Sequence, residues 1–208
     1  MKLVKKDVEG FYSYTPVGEQ VLRLIPGFEV ISKHVEHFNT HNYSFLPHTF
    51  ASRIGDLVNC TLTDDVMVGF HRVENRILEA EEYVWILSDQ ILMSSIDPLK
   101  KAINCGAQFK IILPIRMNPP AGFIDHDDEK FFEEATVSKF MERRFLEKIE
   151  LSMVLSEKEA GVVFPTLDGR LDYGFGFLTT DKLGYDWCKD LFLYYWEKAT
   201  IEIPEYLR

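Results

Sequence analysis

Between residues 64 and 114, helical and strand periodicity alternate twice with little chain between them, which limits the folds open to this sequence. Residues 64–82 place Val66, Phe70, Val73, Ile77 and Leu78 at helical spacing, expected to point inward. They run straight into Tyr83-Val84-Trp85-Ile86-Leu87, a continuous apolar run of the kind that forms a strand buried on both faces. Asp97-Pro98 opens a second helix through Asn104, Gly106 terminates it, and Phe109-Lys110-Ile111-Ile112-Leu113-Pro114 supplies a second strand. Helices alternating with buried strands across short connections predict an α/β protein. Its sheet is expected to be mixed, mainly parallel, and flanked by helices.

The segments on either side differ in texture. Residues 117–128 read as a polar loop and 129–147 as a helix. Leu151–Ser156 and Gly161–Pro165 read as strands around the turn at 157–160. Leu167-Asp168-Gly169-Arg170 is a tight turn, and Leu171–Leu178 a further extended run. The closing helix, 182–199, carries Trp187, Leu191, Phe192, Tyr195, Trp196 and Ala199 on one face, a core stripe. Near the start, residues 3–7 and Phe11–Tyr14 read as a hairpin turning at Glu9-Gly10. Thr15 then suits an N-cap and Pro16 the first helical position. Val17, Val21, Leu22 and Ile25 form that helix's stripe, and Pro26-Gly27 is expected to close it. A second helix is expected over 28–39, and a short one over 48–58 after the connector Ser44-Phe45-Leu46-Pro47. Hairpin followed by helix is how a winged helix-turn-helix finishes. Residues 1–24 are therefore expected to be a residual wing hairpin and helix, and residues 25–208 an α/β ligand-sensing and dimerisation domain.

Charge separates these two parts. The first 24 residues carry four basic and three acidic side chains, the rest 19 basic and 30 acidic, a net of −11. A body that negative repels phosphate backbones, so DNA contact is expected only through a missing or truncated N-terminal helix-turn-helix. Hydrophobic residues make up 46% of the 208, enough for a real core, and no apolar run has the length of a membrane helix. The three cysteines, Cys60, Cys105 and Cys188, are far apart and outside any CxxC spacing. They fit a reducing cytoplasm, and burial as small apolar residues.

Candidate chemistry is sparse. His34, His37 and His41 share a helix face at spacings of three and four, which metal ligands can use, but no HExxH accompanies them; a solvated or partner-facing row is expected. Asp125-His126-Asp127-Asp128-Glu129 could hold a hard cation, yet carboxylates before and in a first helical turn are explained by the helix dipole, so no metal is expected. The helix–strand repeat would suit a phospholipase D-like sheet, whose chemistry uses an HxKxxxxD pattern. None of the six histidines is followed two residues later by Lys. No GxSxG, P-loop or GxGxxG occurs either, so the chain is expected not to be an enzyme and to carry no cofactor. What remains is a set of polar residues at strand ends, where open α/β sheets bind ligands: Ser88, Asp89, Arg116, Asp168, Asp172 and Tyr173. Trp85, Phe164 and Tyr173 would add apolar or stacking surface, and Arg116 would suit an anionic effector.

Several of these segments together form a recognisable set. Phe164-Pro165-Thr166-Leu167-Asp168-Gly169-Arg170-Leu171-Asp172-Tyr173 is followed by Trp187-Cys188-Lys189-Asp190-Leu191-Phe192 and Tyr195-Trp196. The set resembles a family of archaeal winged-helix transcriptional regulators whose sensor region is named after a methanogenesis regulatory protein. Ser44-Phe45-Leu46-Pro47 and Tyr83–Gln90 are similar too. The resemblance implies a degenerate phospholipase D-like sensor domain lacking catalytic residues, a small-molecule effector and a homodimer. It also implies an N-terminal helix-turn-helix, of which the recognition helix is absent from this sequence. The alternatives are a degenerate phosphodiesterase-like enzyme and a pure dimerisation or partner-binding module.

Overall fold

Thr15 does cap the first helix. Its Oγ1 accepts from the Gly18 amide at 3.1 Å, and Pro16 follows in the first turn. The computed structural model describes residues 2–90, 92–116 and 126–202. Strands β1 (Val4–Lys6) and β2 (Tyr12–Tyr14) form a separate antiparallel hairpin turning at Gly10, whose φ of 95° suits glycine. Helix α1 (Pro16–Lys33) does not stop at Pro26-Gly27. It continues because the face bearing Pro26 and Gly27 packs closely on Gly55, where a Cβ would lie 2.7 Å from the Gly27 amide nitrogen. The expected helix over 28–39 is instead divided by His34, at φ −120° and ψ 38°, from α2 (Val35–Thr40). The segment expected as one short helix over 48–58 is α3 (His48–Ala51) followed by a 3-10 turn, Ile54–Leu57.

Strand β3 (Thr61–Thr63) precedes α4 (Val66–Glu79), which Asp65 caps through the amides of Met67 and Val68. Of the stripe expected to face inward, Ile77 is fully buried and Phe70 and Val73 half-buried, whereas Val66 and Leu78 are exposed. Then come β4 (Tyr83–Leu87), α5 (Ile96–Asn104) and β5 (Gln108–Pro114). Helix α6 (His126–Val137) is shorter than the helix expected over 129–147, because Lys139 takes a left-handed φ of 63° and breaks it. Met141–Leu146, helical by propensity, forms strand β6 because its backbone pairs with β5 and Met141 and Phe145 are buried. The loop expected over 117–128 lies mostly outside the described residues. Strands β7 (Ser152–Ser156), β8 (Ala160–Pro165) and β9 (Leu171–Thr179) lead to α7 (Lys182–Lys198).

Among the described residues, seven strands form one mixed sheet in the order β3-β9-β8-β7-β4-β5-β6. The balance differs from the mainly parallel sheet expected. Only β4-β5 and β5-β6 pair in parallel, and the hairpin-linked β7, β8 and β9 are antiparallel. Helices cover both faces. One core contains Ile77, Leu99, Ile111 and Phe132 from α4, α5, β5 and α6. The other contains the α7 stripe, with Trp187, Leu191 and Phe192 fully buried against Phe164, Phe50 and Val30. Each such side chain contributes about 2–3 kcal/mol by burial. Cys60 and Cys188 are buried as expected, whereas Cys105, just past the end of α5, is exposed.

Candidate functional site

The two faces of β4 set the chemistry. Trp85 stacks on Phe192 with ring centroids 5.1 Å apart and belongs to the α7 side. Ile86 and Ser88 line a cavity of about 140 Å³ on the opposite side, beneath α4 and α5. Its wall is largely aliphatic and aromatic, including Phe70, Val73, Leu99, Ile111, Phe132 and Met141. Space of this size under an apolar wall matches the ~150 Å³ engineered cavities that hold a benzene ring.

Polar groups collect at one end. Ser88, just past β4, lies 3.2 Å from the Tyr173 hydroxyl, which donates to Asp89. The Ser88 Oγ also accepts from the Gln90 amide at 3.3 Å. Burial, together with this bond to Asp89, raises the Tyr173 pKa and keeps its hydroxyl a donor. Tyr173 reaches the cavity because the β8–β9 register shifts between Val163 and Pro165. Across that irregularity Tyr173 turns to Phe70 on α4, while Phe175 turns to His37 on α2. Ser95, in the turn entering α5, also lines the cavity; it is 5% exposed and its Oγ has no partner among the described residues. Arg76, the buried cation of α4, lies at the opposite wall and is held by Glu159 from the β7–β8 turn.

Three of the six strand-end residues expected in a site therefore converge: Ser88, Asp89 and Tyr173. The other three do not. Arg116 is exposed and outside the cavity wall. Asp168 is engaged in its own exposed turn, bonded to Thr166 and Arg170, which together lower its pKa to about 2. Asp172 points to α2, 3.5 Å from His41 Nε2. Trp85 and Phe164 are core residues of the α7 side, so Tyr173 alone of the expected stacking surfaces reaches the cavity. Sequence reading missed Arg76 and Ser95. An arginine between Val73 and Ile77 on an apolar helix face was the available signal for the first; a serine entering a helix gave none for the second.

The histidine row is not solvated: His37 and His41 are buried and His34 is half-buried. His37 and His41 stack with ring centroids 3.7 Å apart, and His37 packs on Phe177 at 5.1 Å. Tyr43 shares a 2.7 Å hydrogen bond with His37 Nδ1. Burial, then the neighbouring His41, lowers the His37 pKa to about 4. Among the described residues no group of His, Cys, Asp and Glu is arranged to hold a metal ion. Asp127, Asp128 and Glu129 lie in the first turn of α6, where Asp128 pairs with Lys100; Asp125 lies outside the described residues.

A second feature lies on α1. Gly18, Leu22, Pro26 and Val30 form its inner stripe. Val17, Leu24, Phe28 and Ile31 are exposed, and with half-buried Val21 and with Val35 beyond the break they recur at alternating spacings of four and three. At 100° per residue this outer seam lies roughly 180° from the inner stripe. Phe11, Tyr12 and Tyr14 of the hairpin are exposed as well. The stripe expected from Val17, Val21, Leu22 and Ile25 is thus split between two faces.

No protein-family profile matches the chain, and no curated protein is significantly similar to it. Solved structures are similar. TrmBL2, an archaeal chromatin protein whose structure is described as showing a novel mode of DNA binding, shares 17% identity over 96% of this chain and 77% of its own, with a TM-score of 0.55. NucT from Helicobacter pylori shares 10% identity over 68% of this chain and 98% of its own, with a TM-score of 0.48. Nuc from Salmonella typhimurium, a phospholipase D family member, shares 10% over 68% and 95%, with a TM-score of 0.47. The mixed α/β fold flanked by helices is therefore the expected one, and the resemblance to archaeal regulators holds at the level of fold. The expectation that the chain is not an enzyme is corrected by the same comparison, since NucT and a phospholipase D family member are among its structural neighbours. Among the described residues no helix is long and apolar enough to cross a membrane.

Proposed function

We propose that residues 25–208 are the signal-receiving domain of an archaeal-type, DNA-linked transcriptional regulator, with a small-molecule effector bound beneath α4 and α5. The observation that carries this reading is the cavity itself. It is a preformed, largely apolar space of about 140 Å³ in which Ser88 and Tyr173 meet at the end of β4, where α/β sheets place ligands. Ser88 and Tyr173, the latter held by Asp89, would orient the effector. Arg116, Asp168 and Asp172, outside the cavity, have no part in this reading.

The chain acts as a homodimer joined along α1. Val17, Leu24 and Ile31 occupy the d positions of a heptad repeat, and Val21, Phe28 and Val35 the a positions. Such a seam is complementary to a second copy of itself. It leaves the hairpin, read as the remnant of a wing, at the end of the paired helices, so a change in helix pairing would reach whatever reads DNA. The hairpin is tied to α1 by the Thr15 amide donating to the Leu3 carbonyl at 2.9 Å. For effector binding to shift such a dimer, its affinity must differ between two arrangements.

Thermal unfolding of the chain against a small-molecule library tests the effector reading, because a ligand bound only to the folded state raises the midpoint. Compounds that do so should lose the effect in Leu99→Phe, which fills the cavity. Midpoint shifts that persist in a folded Leu99→Phe variant would place the ligand elsewhere.

A further inference from the structure

The wall of the cavity determines the kind of molecule it accepts. Two charged residues contribute to it, and neither offers an open charge. Arg76 is committed to Glu159 on one side, and Arg143 has interactions of its own. At the β4 end, Ser88, Tyr173 and Asp89 are bonded to one another and to the Gln90 amide. Ser152 donates to the Leu87 carbonyl at 3.1 Å. Against these stands Ser95, a residue of the cavity wall that is 5% exposed and whose Oγ is without a partner among the described residues. A buried hydroxyl left unpaired is costly, and a ligand that pairs with it gains more than it would from a satisfied group.

We propose that this cavity binds a small, predominantly apolar, uncharged molecule carrying one hydroxyl or carbonyl group that hydrogen-bonds to Ser95. The proposal rests on the effector reading of the same cavity and narrows it. An anion would enter an apolar space whose cations are already engaged, and would lose its hydration without a counter-charge. A sugar would bring many hydroxyl groups to a wall that leaves one unpaired. The apolar part of the ligand would lie against Ile96, Leu99, Ile111 and Met141. Its polar group would face the start of α5, so binding would tie that helix to the sheet.

Four probes separate the chemistries: toluene, benzyl alcohol and benzoate, which are of similar bulk, and the larger glucose, titrated into the full chain and followed by methyl NMR. Toluene and benzyl alcohol are expected to shift the methyl resonances of Ile96, Leu99 and Met141 and to give intermolecular NOEs to them. Benzoate and glucose are expected to leave those resonances in place at the same concentrations. Ser95→Ala is expected to weaken benzyl alcohol roughly fivefold and to leave toluene unchanged. Benzoate binding at these methyls more tightly than benzyl alcohol would overturn the ligand class and leave the effector cavity standing. Failure of both aromatic neutrals to move the methyls would overturn the proposal, while the library screen would still decide the broader reading. Equal weakening of both neutrals by Ser95→Ala would remove the assigned role of its hydroxyl. Should that variant fail to fold, the ranking and NOEs in the unaltered chain decide the class.

Discussion

Acid should loosen the junction between α2 and the sheet, by an amount that follows from one imidazole. His37 is 3% exposed, stacked on His41 and packed against Phe177, and its pKa is lowered from 6.5 to about 4. In the unfolded chain the same imidazole takes up its proton near 6.5. Above that value both states are neutral and the junction keeps its full stability. As pH falls from 6.5 toward 4 only the unfolded state is protonated, and stability is lost at about 1.4 kcal/mol per unit; below 4 the loss levels off. From pH 7 to pH 5 the His37 contribution falls by about 2 kcal/mol. Urea unfolding followed by tryptophan fluorescence at the two pH values, for the native chain and for His37→Gln, isolates this part, because carboxylates titrate in both. The native chain should lose about 2 kcal/mol more than the variant. Equal losses would refute the reasoning and mean that the buried ring is not held neutral.

Three further outcomes are expected. Leu24→Lys places a charge in the middle of the α1 seam and should shift sedimentation from dimer toward monomer, weakening association at least ~10-fold; an unchanged sedimentation coefficient would remove the seam from the interface. Gly18→Ala would bring a Cβ within 2.0 Å of the Leu3 carbonyl oxygen, so the hairpin must lift from α1. Amide exchange in β1 and β2 should then quicken while the seven-stranded sheet keeps its protection. Asp181→Ala removes the cap that accepts from Leu183 and Gly184 at the start of α7, and should cost about 1 kcal/mol in urea unfolding without altering its slope.

The central α/β repeat was legible in the sequence because its signals were local. Tyr83–Leu87 and Phe109–Pro114 are continuous apolar runs, and Gly106 ends α5 at a φ of 101° where an L-residue would be strained. Strand β6 was not legible, since Met-Glu-Arg-Arg-Phe-Leu favours a helix and only pairing with β5 makes it extended. Pro26 misled for a related reason: the close approach of Gly55 keeps α1 running past it. The site was half legible. Ser88, Asp89 and Tyr173 could be found by looking near strand ends, but the shift in register that sends Tyr173 to one face and Phe175 to the other depends on a non-local pairing. The histidine row illustrates the limit of spacing: positions 34, 37 and 41 share a helical face, yet neither the break at His34 nor the burial beneath Phe177 is encoded locally. The α1 seam was present in the sequence as a 3.5-residue period, hidden because the inner stripe shares the same helix.

Native mass spectrometry of the purified chain tests the central claim most directly, because it reads assembly and occupancy together. The account predicts a species of two chains carrying a small-molecule adduct, with the adduct absent from Leu99→Phe and the pairing absent from Leu24→Lys. A single chain without adduct, recovered under conditions that preserve weak complexes and after incubation with neutral apolar compounds, would contradict it.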